Sequence, residues 1–516
     1  MATAEERKDE RLPLVSGDHG DDKHVAAEKA HFSWRALWPN LGLHDWKGIA
    51  ILPFLITLMI GGVVWPLVPP GLPAKTWHLF VIFAFTIFGI ITAPLPVSAV
   101  AIVAIAVSLT TRTLPIASAL SAFGAPVVWL IVFAFFIARG FIVTGLGKRL
   151  CYIVLGQVGQ SSLGLAYGLT VAELVLAPAV PSNTARGAAV LLPILQPLLK
   201  DAFASDPALK TEKKIGSFLV MVALHANCVT SALYLTGCAA SALTARMALS
   251  ALGVELGWMR WFMAMSVPGV LDVALMPLVL YWAYPPEVRT TPEAPQLARE
   301  KLKEMGPLTR KEIIMIGTFV LLIFLWIFGD LFKFIDATST AIVGVAILLL
   351  TGVLDVTQHI ITEKAAYDTM LWFATLVMLA GNLTKGGFFD WLSGHVSPTM
   401  SKLPWLVAMI VLSLLFYFSH YAFASLTAHT ASLFSALGVV AVSAGAPAPV
   451  VAVMFAAYSP LSGCLTQYGS GPSPAYFATG YVSVVDWWRV GLIVSAWHLL
   501  VFNTVGLLWW KVIGLM

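Results

Sequence analysis

Two short polar segments interrupt a largely apolar chain at corresponding places in its two halves. Residues 181–186 read Pro-Ser-Asn-Thr-Ala-Arg, and residues 424–429 read Ala-Ser-Leu-Thr-Ala-His. We call them the first and second tips. Each has hydroxyls at its second and fourth positions and a basic side chain at its sixth. Hydroxyls, an amide and the unpaired N–H groups of a helix start are donors that a carboxylate accepts, so the tips are candidate anion sites.

A second polar break follows each tip after about forty residues, at 224–238 and 458–472. Bilayer depth allows non-helical backbone only where protein shields it or where it lines a wet cavity. Paired interruptions in two halves are the best sequence pointer to the binding site of a secondary transporter. Four irregular pieces are therefore expected to converge near the midplane. The candidate substrate-binding residues are Ser182, Asn183, Thr184, Asn227, Thr230, Ser425, Leu426, Thr427, Ser462 and Thr466.

Arg186 and His429 occupy the same offset after their tips, and we expect them to compensate the charge of a bound anion. A dicarboxylate carries about two charges, and each costs several kcal/mol in a low dielectric. Fixed cations in place of a bound cation would make an empty carrier resist crossing, which predicts obligatory exchange. Two alternatives stay open. Arg186 can instead pair with a carbonyl or with Glu173, which can also pair with Arg139, and His429 can be a neutral packing residue.

The composition is that of a membrane protein. The chain of 516 residues is 59% hydrophobic and only 11% charged, with a mean hydropathy of +0.85. A soluble protein of this size would need more charged surface. The apolar runs predict an all-α polytopic protein of about eleven transmembrane helices plus two re-entrant hairpins, 162–198 and 404–440, in an inverted repeat.

The predicted organisation has four parts. Residues 1–47 form a polar, disordered cytoplasmic tail without a secretory signal. Residues 48–283 form the first half, 284–312 a solvated cytoplasmic linker loop, and 313–516 the second half. Lys and Arg favour the inner side by roughly three to one when the N-terminus is cytoplasmic and the hairpins enter from opposite faces.

Other function classes lack their signatures. No His-Glu-x-x-His or Gly-x-Ser-x-Gly motif supports an enzyme, and no ligand spacing predicts a metal site. A channel would favour filter residues repeated by oligomer symmetry over two dissimilar halves. The net charge of +4 sits in loops and indicates no nucleic-acid partner. The four cysteines have no framework spacing, and His225 and His420 read as packing residues.

At these motifs the chain resembles the divalent anion:sodium symporter family over roughly residues 45–516. Its exchanger branch, which includes plastid 2-oxoglutarate/malate translocators and bacterial citrate/succinate and tartrate/succinate antiporters, is the most similar. The stretch 464–474 carries most of the resemblance, with further similarity at 419–421, 480–482 and 486–489.

The resemblance implies a scaffold domain and a mobile transport domain, a homodimer, and an elevator movement in the inner (plasma) membrane. The implied substrates are di- or tricarboxylates such as 2-oxoglutarate, malate, succinate, citrate or tartrate. Leu426 stands where the family pattern has Asn, and the first broken helix lacks the double-glycine run of sodium-coupled members. Both departures speak against bound sodium, although a sodium-coupled symporter of the same fold remains the alternative.

Overall fold

The computed structural model describes residues 59–92, 94–400 and 403–516, and the predicted tail 1–47 lies outside them. The first half is a succession of helices. Its helices are α1 Ala74–Thr92, α2 Val97–Thr110, α3 Pro126–Thr144, α4 Leu146–Val158, α5 Ser162–Leu176, α6 (the joined segments Ala185–Leu191, Leu192–Pro197 and Leu198–Ala202), α7 Gly216–Leu233, α8 Ala239–Leu252 and α9 Trp258–Ala283.

The rest of the described chain is also helical. Its helices are α10 Glu293–Met305, α11 Arg310–Phe332, α12 Ala337–Leu350, α13 Lys364–Lys385, α14 Phe388–Met400, α15 Trp405–Ser419, α16 Leu426–Ser443, α17 Ala448–Leu461, α18 Ser473–Ala478, α19 Val484–Val501 and α20 Leu507–Val512. Among the described residues, nine helices are long and apolar enough to cross a bilayer, and shorter apolar helices accompany them. The predicted all-helical polytopic fold is confirmed.

The backbone leaves helical geometry at both tips. Helices α5 and α6 flank the first tip, and α15 and α16 flank the second. Pro178 and Pro181 explain the first interruption, since proline lacks an N–H and disfavours helical geometry in the residue before it. In the second tip, Ser425 has extended backbone and caps α16, which begins at the next residue.

Two helices are broken as well. Helix α7 stops at Leu233 and α8 begins at Ala239, so residues 234–238 separate them. Helix α17 runs into a 3₁₀ turn, Ser462–Cys464, and irregular backbone then leads to α18. We call residues 234–238 the first break and 465–472 the second break.

The two broken helices form the centre of the molecule. All residues of α7 are buried, as are those of α17 from Val450 onward. The two helices pack against each other across the halves, α5 packs on α7, and α16 packs on both α8 and α17. The tips are therefore held beside the breaks.

The linker between the halves is not the solvated loop expected from its charge. It contains α10, which packs against α4 through the buried residues Ala294, Pro295 and Ala298. A second contact with α4 fixes the end of the linker. Arg149 on α4 donates to Glu312 at 2.6 Å and to the Gly306 carbonyl at 2.9 Å. Small residues spaced at a helical period pack on α4, while the charged residues lie on the opposite face.

We predict that Arg149→Ala strongly destabilises the protein. The Glu312 side chain is 1% exposed, and removing its partner leaves a buried unpaired carboxylate at a cost of about 3–5 kcal/mol. Arg139→Ala is the matched control, because Arg139 lies 3.9 Å from Glu363 and is 36% exposed, where a pair contributes about 0–1 kcal/mol. Thermal unfolding in detergent measures both variants. Equal unfolding midpoints for the two variants would contradict a stabilising role of the Arg149–Glu312 pair.

Candidate functional site

The first tip caps its own helix. The Ala185 N–H donates to Ser182 Oγ at 3.1 Å, and the Thr184 N–H donates to Asn183 Oδ1 at 3.0 Å. The Thr184 side chain is exposed, whereas Ser182 and Asn183 are half-buried. The turns that follow are π-helical. The three predicted residues of this tip thus lie together at a helix start.

Arg186 is wholly buried and fully engaged inside the protein. Its Nε donates to Glu173 Oε2 at 2.8 Å, and both side chains are 0% exposed. Its Nη1 donates to the carbonyls of Val180 and Gly237, and its Nη2 donates to Ser231 Oγ at 2.8 Å. The guanidinium therefore joins the hairpin, α7 and the first break. Its charge is matched by Glu173, so in this conformation it offers no charge to a substrate.

Glu173 also holds the first tip through α7. Asn227 Nδ2 donates to Glu173 Oε1 at 2.9 Å and to the Asn183 carbonyl at 3.0 Å. Thr230 Oγ1 lies 3.5 Å from Glu173 Oε2. Asn227 and Thr230, predicted as substrate ligands, are thus engaged by the carboxylate and the tip backbone. The pairing of Glu173 with Arg186, one of the sequence-based alternatives, is observed.

The second tip repeats this arrangement with different residues. The Ala428 N–H donates to Ser425 Oγ at 3.3 Å, and Ser425 Oγ lies 2.9 Å from Thr427 Oγ1. Both hydroxyl residues are half-buried. His429 is fully buried, and its Nε2 lies 2.8 Å from the Phe416 carbonyl. A carbonyl only accepts, so Nε2 carries a proton and donates it.

His429 therefore supplies a hydrogen bond to a backbone carbonyl near the end of the first arm of the second hairpin. Arg186 does the same in the first hairpin. His429 Nε2 also lies 3.0 Å from Ser419 Oγ, and its ring packs between those of Phe416 and Phe423, with centroids 4.4 and 5.1 Å away. Like Arg186, His429 faces protein groups in this conformation and presents no charge at the tip surface.

The first tip contacts the second break. A methyl group built on Gly471 would overlap Thr184 Oγ1, and it would lie 3.7 Å from Asn183 Oδ1. Just beyond the tip, Tyr476 Oη donates to the Gly187 carbonyl at 3.2 Å. A side chain at 471 would therefore force the Thr184 hydroxyl out of its place in the tip.

The second tip contacts the first break. Leu426 is 7% exposed and forms a buried apolar cluster with Cys238 and Ala240. Its Cδ2 would lie 2.9 Å from a methyl group built on Gly463, in the turn that ends α17. Each tip is thus seated on the broken helix of the opposite half, which brings all four irregular pieces together.

The remaining two predicted residues lie in that same turn and second break. Ser462 is buried and donates to the Ser459 carbonyl at 3.0 Å, and Thr466 is buried as well. His420 anchors the break, with Nε2 2.6 Å from the Gly469 carbonyl. Its packing role, expected from the sequence, agrees with this bond.

Sequence reasoning missed the groups whose role comes only from the fold. These include the carbonyls of Val180 and Gly237, which accept from Arg186, and Gly471 beneath Thr184. Gly471 directly precedes a proline, and this is the one local sequence pattern that could have pointed to it. Backbone carbonyls carry no residue-type signal, so no pattern could single them out.

A cavity elsewhere in the molecule is not part of this site. It lies between α4, α6 and α10 and is lined by Tyr152, Ile194 and Lys301, among others. Ile194 follows Thr184 by ten residues, which is roughly 15 Å along a helix. The hydroxyls and helix starts at the tips, not this cavity, are the groups suited to an anion.

The profile of the family described as "Sodium:sulfate symporter transmembrane region" matches residues 49–516. The chain belongs to this family, the divalent anion:sodium symporters. The putative malate transporter YflS of Bacillus subtilis (strain 168) is 46% identical over 470 residues, which cover 91% of this chain and 98% of that protein.

Further relatives come from plants and bacteria. Chloroplastic dicarboxylate transporter 1 of Spinacia oleracea is 41% identical over 92% of this chain and 83% of its own length. The L-tartrate/succinate antiporter of Escherichia coli O6:K15:H31 is 35% identical over 86% of this chain and 95% of its own length. The protein is accordingly a membrane-spanning transporter and not an enzyme.

The fold also resembles a solved structure. The YdaH transporter of Alcanivorax borkumensis, whose crystal structure was described as having an unusual topology, is similar with a TM-score of 0.50 and 13% identity. The likeness covers 90% of this chain and 98% of that one, and it concerns the fold alone.

We predict that Gly471→Ala impairs transport far more than it impairs folding. The added methyl overlaps Thr184 Oγ1 and lies 3.3 Å from Thr184 Cβ, so the Thr184 hydroxyl must leave its place between the first tip and the second break. Gly317→Ala is the matched control, because nothing lies within 4 Å of its added methyl and helical Gly→Ala gains about 0.5–1 kcal/mol. Uptake per folded protein in vesicles should fall at least tenfold only in Gly471→Ala. Unchanged uptake in Gly471→Ala would contradict the proposed importance of the contact between Thr184 and Gly471.

Proposed function

We propose that the protein exchanges dicarboxylates of the malate, succinate and 2-oxoglutarate class, and related tricarboxylates such as citrate, across the cell's inner membrane. The observation that carries the proposal is the seating of each hydroxyl-bearing tip on the broken helix of the opposite half. The names of the relatives point to the substrate class, since they include malate, dicarboxylate and tartrate/succinate transporters.

In this proposal the carboxylates bind between the tips. Ser182, Asn183 and Thr184 face one carboxylate, and Ser425 and Thr427 face the other. The N–H groups at the starts of α6 and α16 add dipoles that favour negative charge. Ser462, Thr466, Asn227 and Thr230 shape the floor of the site. All four residues are buried, and Asn227 donates to the Asn183 carbonyl of the first tip at 3.0 Å, which supports this role.

The mode of coupling follows from charge balance. Because Glu173 neutralises Arg186, the buried charges behind the first tip cancel, and the hydroxyl and N–H donors of the tips are the groups left to stabilise a bound dianion. Exchange of one dianion for another moves no net charge over a full cycle. An empty site would carry unpaired N–H and hydroxyl groups across, at about 1–3 kcal/mol for each group that loses water. This barrier favours obligatory exchange.

A sodium-coupled symporter is the second candidate, because the family description itself names sodium. Sodium requires several oxygen ligands. At the second tip, however, Leu426 buries an apolar side chain against Cys238 and Ala240. We therefore propose that transport proceeds without bound sodium at that tip.

The remaining features of the proposal concern movement and assembly. The hairpins and broken helices would travel together as a transport domain in an elevator movement, against a scaffold that forms a homodimer in the lipid bilayer. The N-terminus would be cytoplasmic. Packing of α7 on α17 supports movement of the site as one unit.

Counterflow in proteoliposomes tests exchange directly. Labelled malate should enter vesicles loaded with unlabelled malate or succinate, in sodium-free buffer, and should not enter empty vesicles. Exchange of one dianion for another should generate no membrane potential across the vesicles. Uptake into empty vesicles that requires sodium would overturn the exchange proposal and favour the symporter.

Thr184→Ala and Thr427→Ala should each weaken substrate binding. A lost hydrogen bond to a charged group costs about 1.5–3 kcal/mol, or roughly ten- to a hundredfold in apparent affinity. Thr110→Ala is the control, because Thr110 is exposed and donates to Ala106 of its own helix at 2.9 Å. Competition by unlabelled malate gives the affinities. Normal affinity in Thr184→Ala would place the anion elsewhere.

A further inference from the structure

Three side chains of the types that bind metal ions lie close together in the protein interior, away from the tip surfaces. His225 lies on α7, Cys464 ends the 3₁₀ turn after α17, and His498 lies on α19. One donor atom from each, a ring nitrogen or Sγ, lies within 4.8 Å of the other two, and all three residues are buried. His225 lies 239 residues before Cys464, and His498 follows Cys464 by 34 residues, which is why no ligand spacing revealed them.

The hydrogen bonds around the cluster leave its nitrogens unpaired. His498 Nδ1 donates to Asp272 Oδ2 at 2.7 Å, so its Nε2 is the nitrogen left for the cluster. Among the described residues, Cys464 is the polar side chain that both histidines face, and neither the ring nitrogens of His225 nor Nε2 of His498 has a hydrogen-bond partner of good geometry. Both side chains are 0% exposed. Such orphaned buried groups are uncommon in native proteins and call for a ligand or ion.

We propose that His225, Cys464 and His498 bind a zinc-class transition-metal ion. Nitrogen and thiolate donors are those that Zn²⁺ prefers, with bonds of about 2.0–2.3 Å. Donor atoms around such an ion are about 3.5 Å apart, so side-chain rotations that close the cluster by about 1 Å suffice. A protein oxygen or water completes four ligands, and the Ser495 hydroxyl, 3.5 Å from Cys464 Sγ, is placed for this.

The groups around the cluster suit a divalent ion electrically. One thiolate and the Asp272 carboxylate together match two positive charges, so the buried assembly would be neutral. Asp272 would not touch the metal. It orients His498 through Nδ1, the arrangement in which a carboxylate behind a ligating histidine fixes its tautomer and raises its basicity.

The position gives the ion a mechanical role. His225 precedes Asn227 by two residues, and Cys464 lies between Ser462 and Thr466. Occupancy would fix the crossing of α7 with the end of α17, the helices on which the tips rest. The inference is independent of the proposed substrate, because it concerns metal binding alone.

Metal content tests the site without a transport assay. The full-length protein, purified in detergent, is supplied with Zn²⁺ and dialysed against a weak chelator before its zinc is measured. We expect about one zinc per chain in the unchanged protein, and a loss of at least fivefold in Cys464→Ala and His225→Gln. Cys228→Ala is the matched control, because Cys228 is a buried cysteine on α7 outside the cluster. It should keep its zinc.

A spectroscopic measurement on the unchanged protein covers the case in which the variants fail to fold. Co²⁺ bound by a thiolate and two imidazoles gives a thiolate-to-metal charge-transfer band and the strong visible bands of four-coordinate cobalt. Both should appear on titration and vanish when Zn²⁺ is added. Absence of the bands, zinc no higher than in Cys464→Ala, or loss of zinc in Cys228→Ala would each overturn the proposal.

Discussion

A peptide group that leaves helical geometry at membrane depth must find another hydrogen-bond partner, because hydrocarbon offers none. In the first half this requirement falls on Arg186. Its guanidinium donates hydrogen bonds to the carbonyls of Val180 beside the first tip and Gly237 in the first break, while Glu173 balances its charge. One side chain thus stabilises two interruptions and ties them to each other. The irregular backbone from which a substrate site is built depends on this pair.

The second half meets the same requirement with the N–H group of a histidine ring. His429, at the same offset after its tip, donates to the Phe416 carbonyl. Each tip also contacts the other half of the chain. Thr184 lies against Gly471, and Leu426 packs in one cluster with Cys238. Small residues at these contacts allow close approach. Each tip is therefore held partly by residues of the other half.

Much of this arrangement was predictable from local patterns. The paired polar segments predicted the tips, and the apolar runs predicted the helices. The basic residues at matching offsets were expected to compensate the charge of a substrate. The structure instead pairs Arg186 with Glu173, one of the sequence-based alternatives, and places His429 against the Phe416 carbonyl. The amphipathic helix within the charged linker was missed because charge was weighed above its small apolar face. The grouping of His225 with Cys464 and His498 was beyond reach, because it joins distant parts of the chain.

The most direct measurement of the central claim is a cross-link between the halves. Leu426→Cys, in a chain that keeps Cys238 and has alanine at the other three cysteines, places two thiols where the second tip meets the first break. Mild oxidation of membranes should form a 238–426 disulfide, detected by mass spectrometry of the digested protein, and added dicarboxylate should slow its formation. Failure to form this bond in the absence of substrate would contradict the seating of the tip on the opposite half.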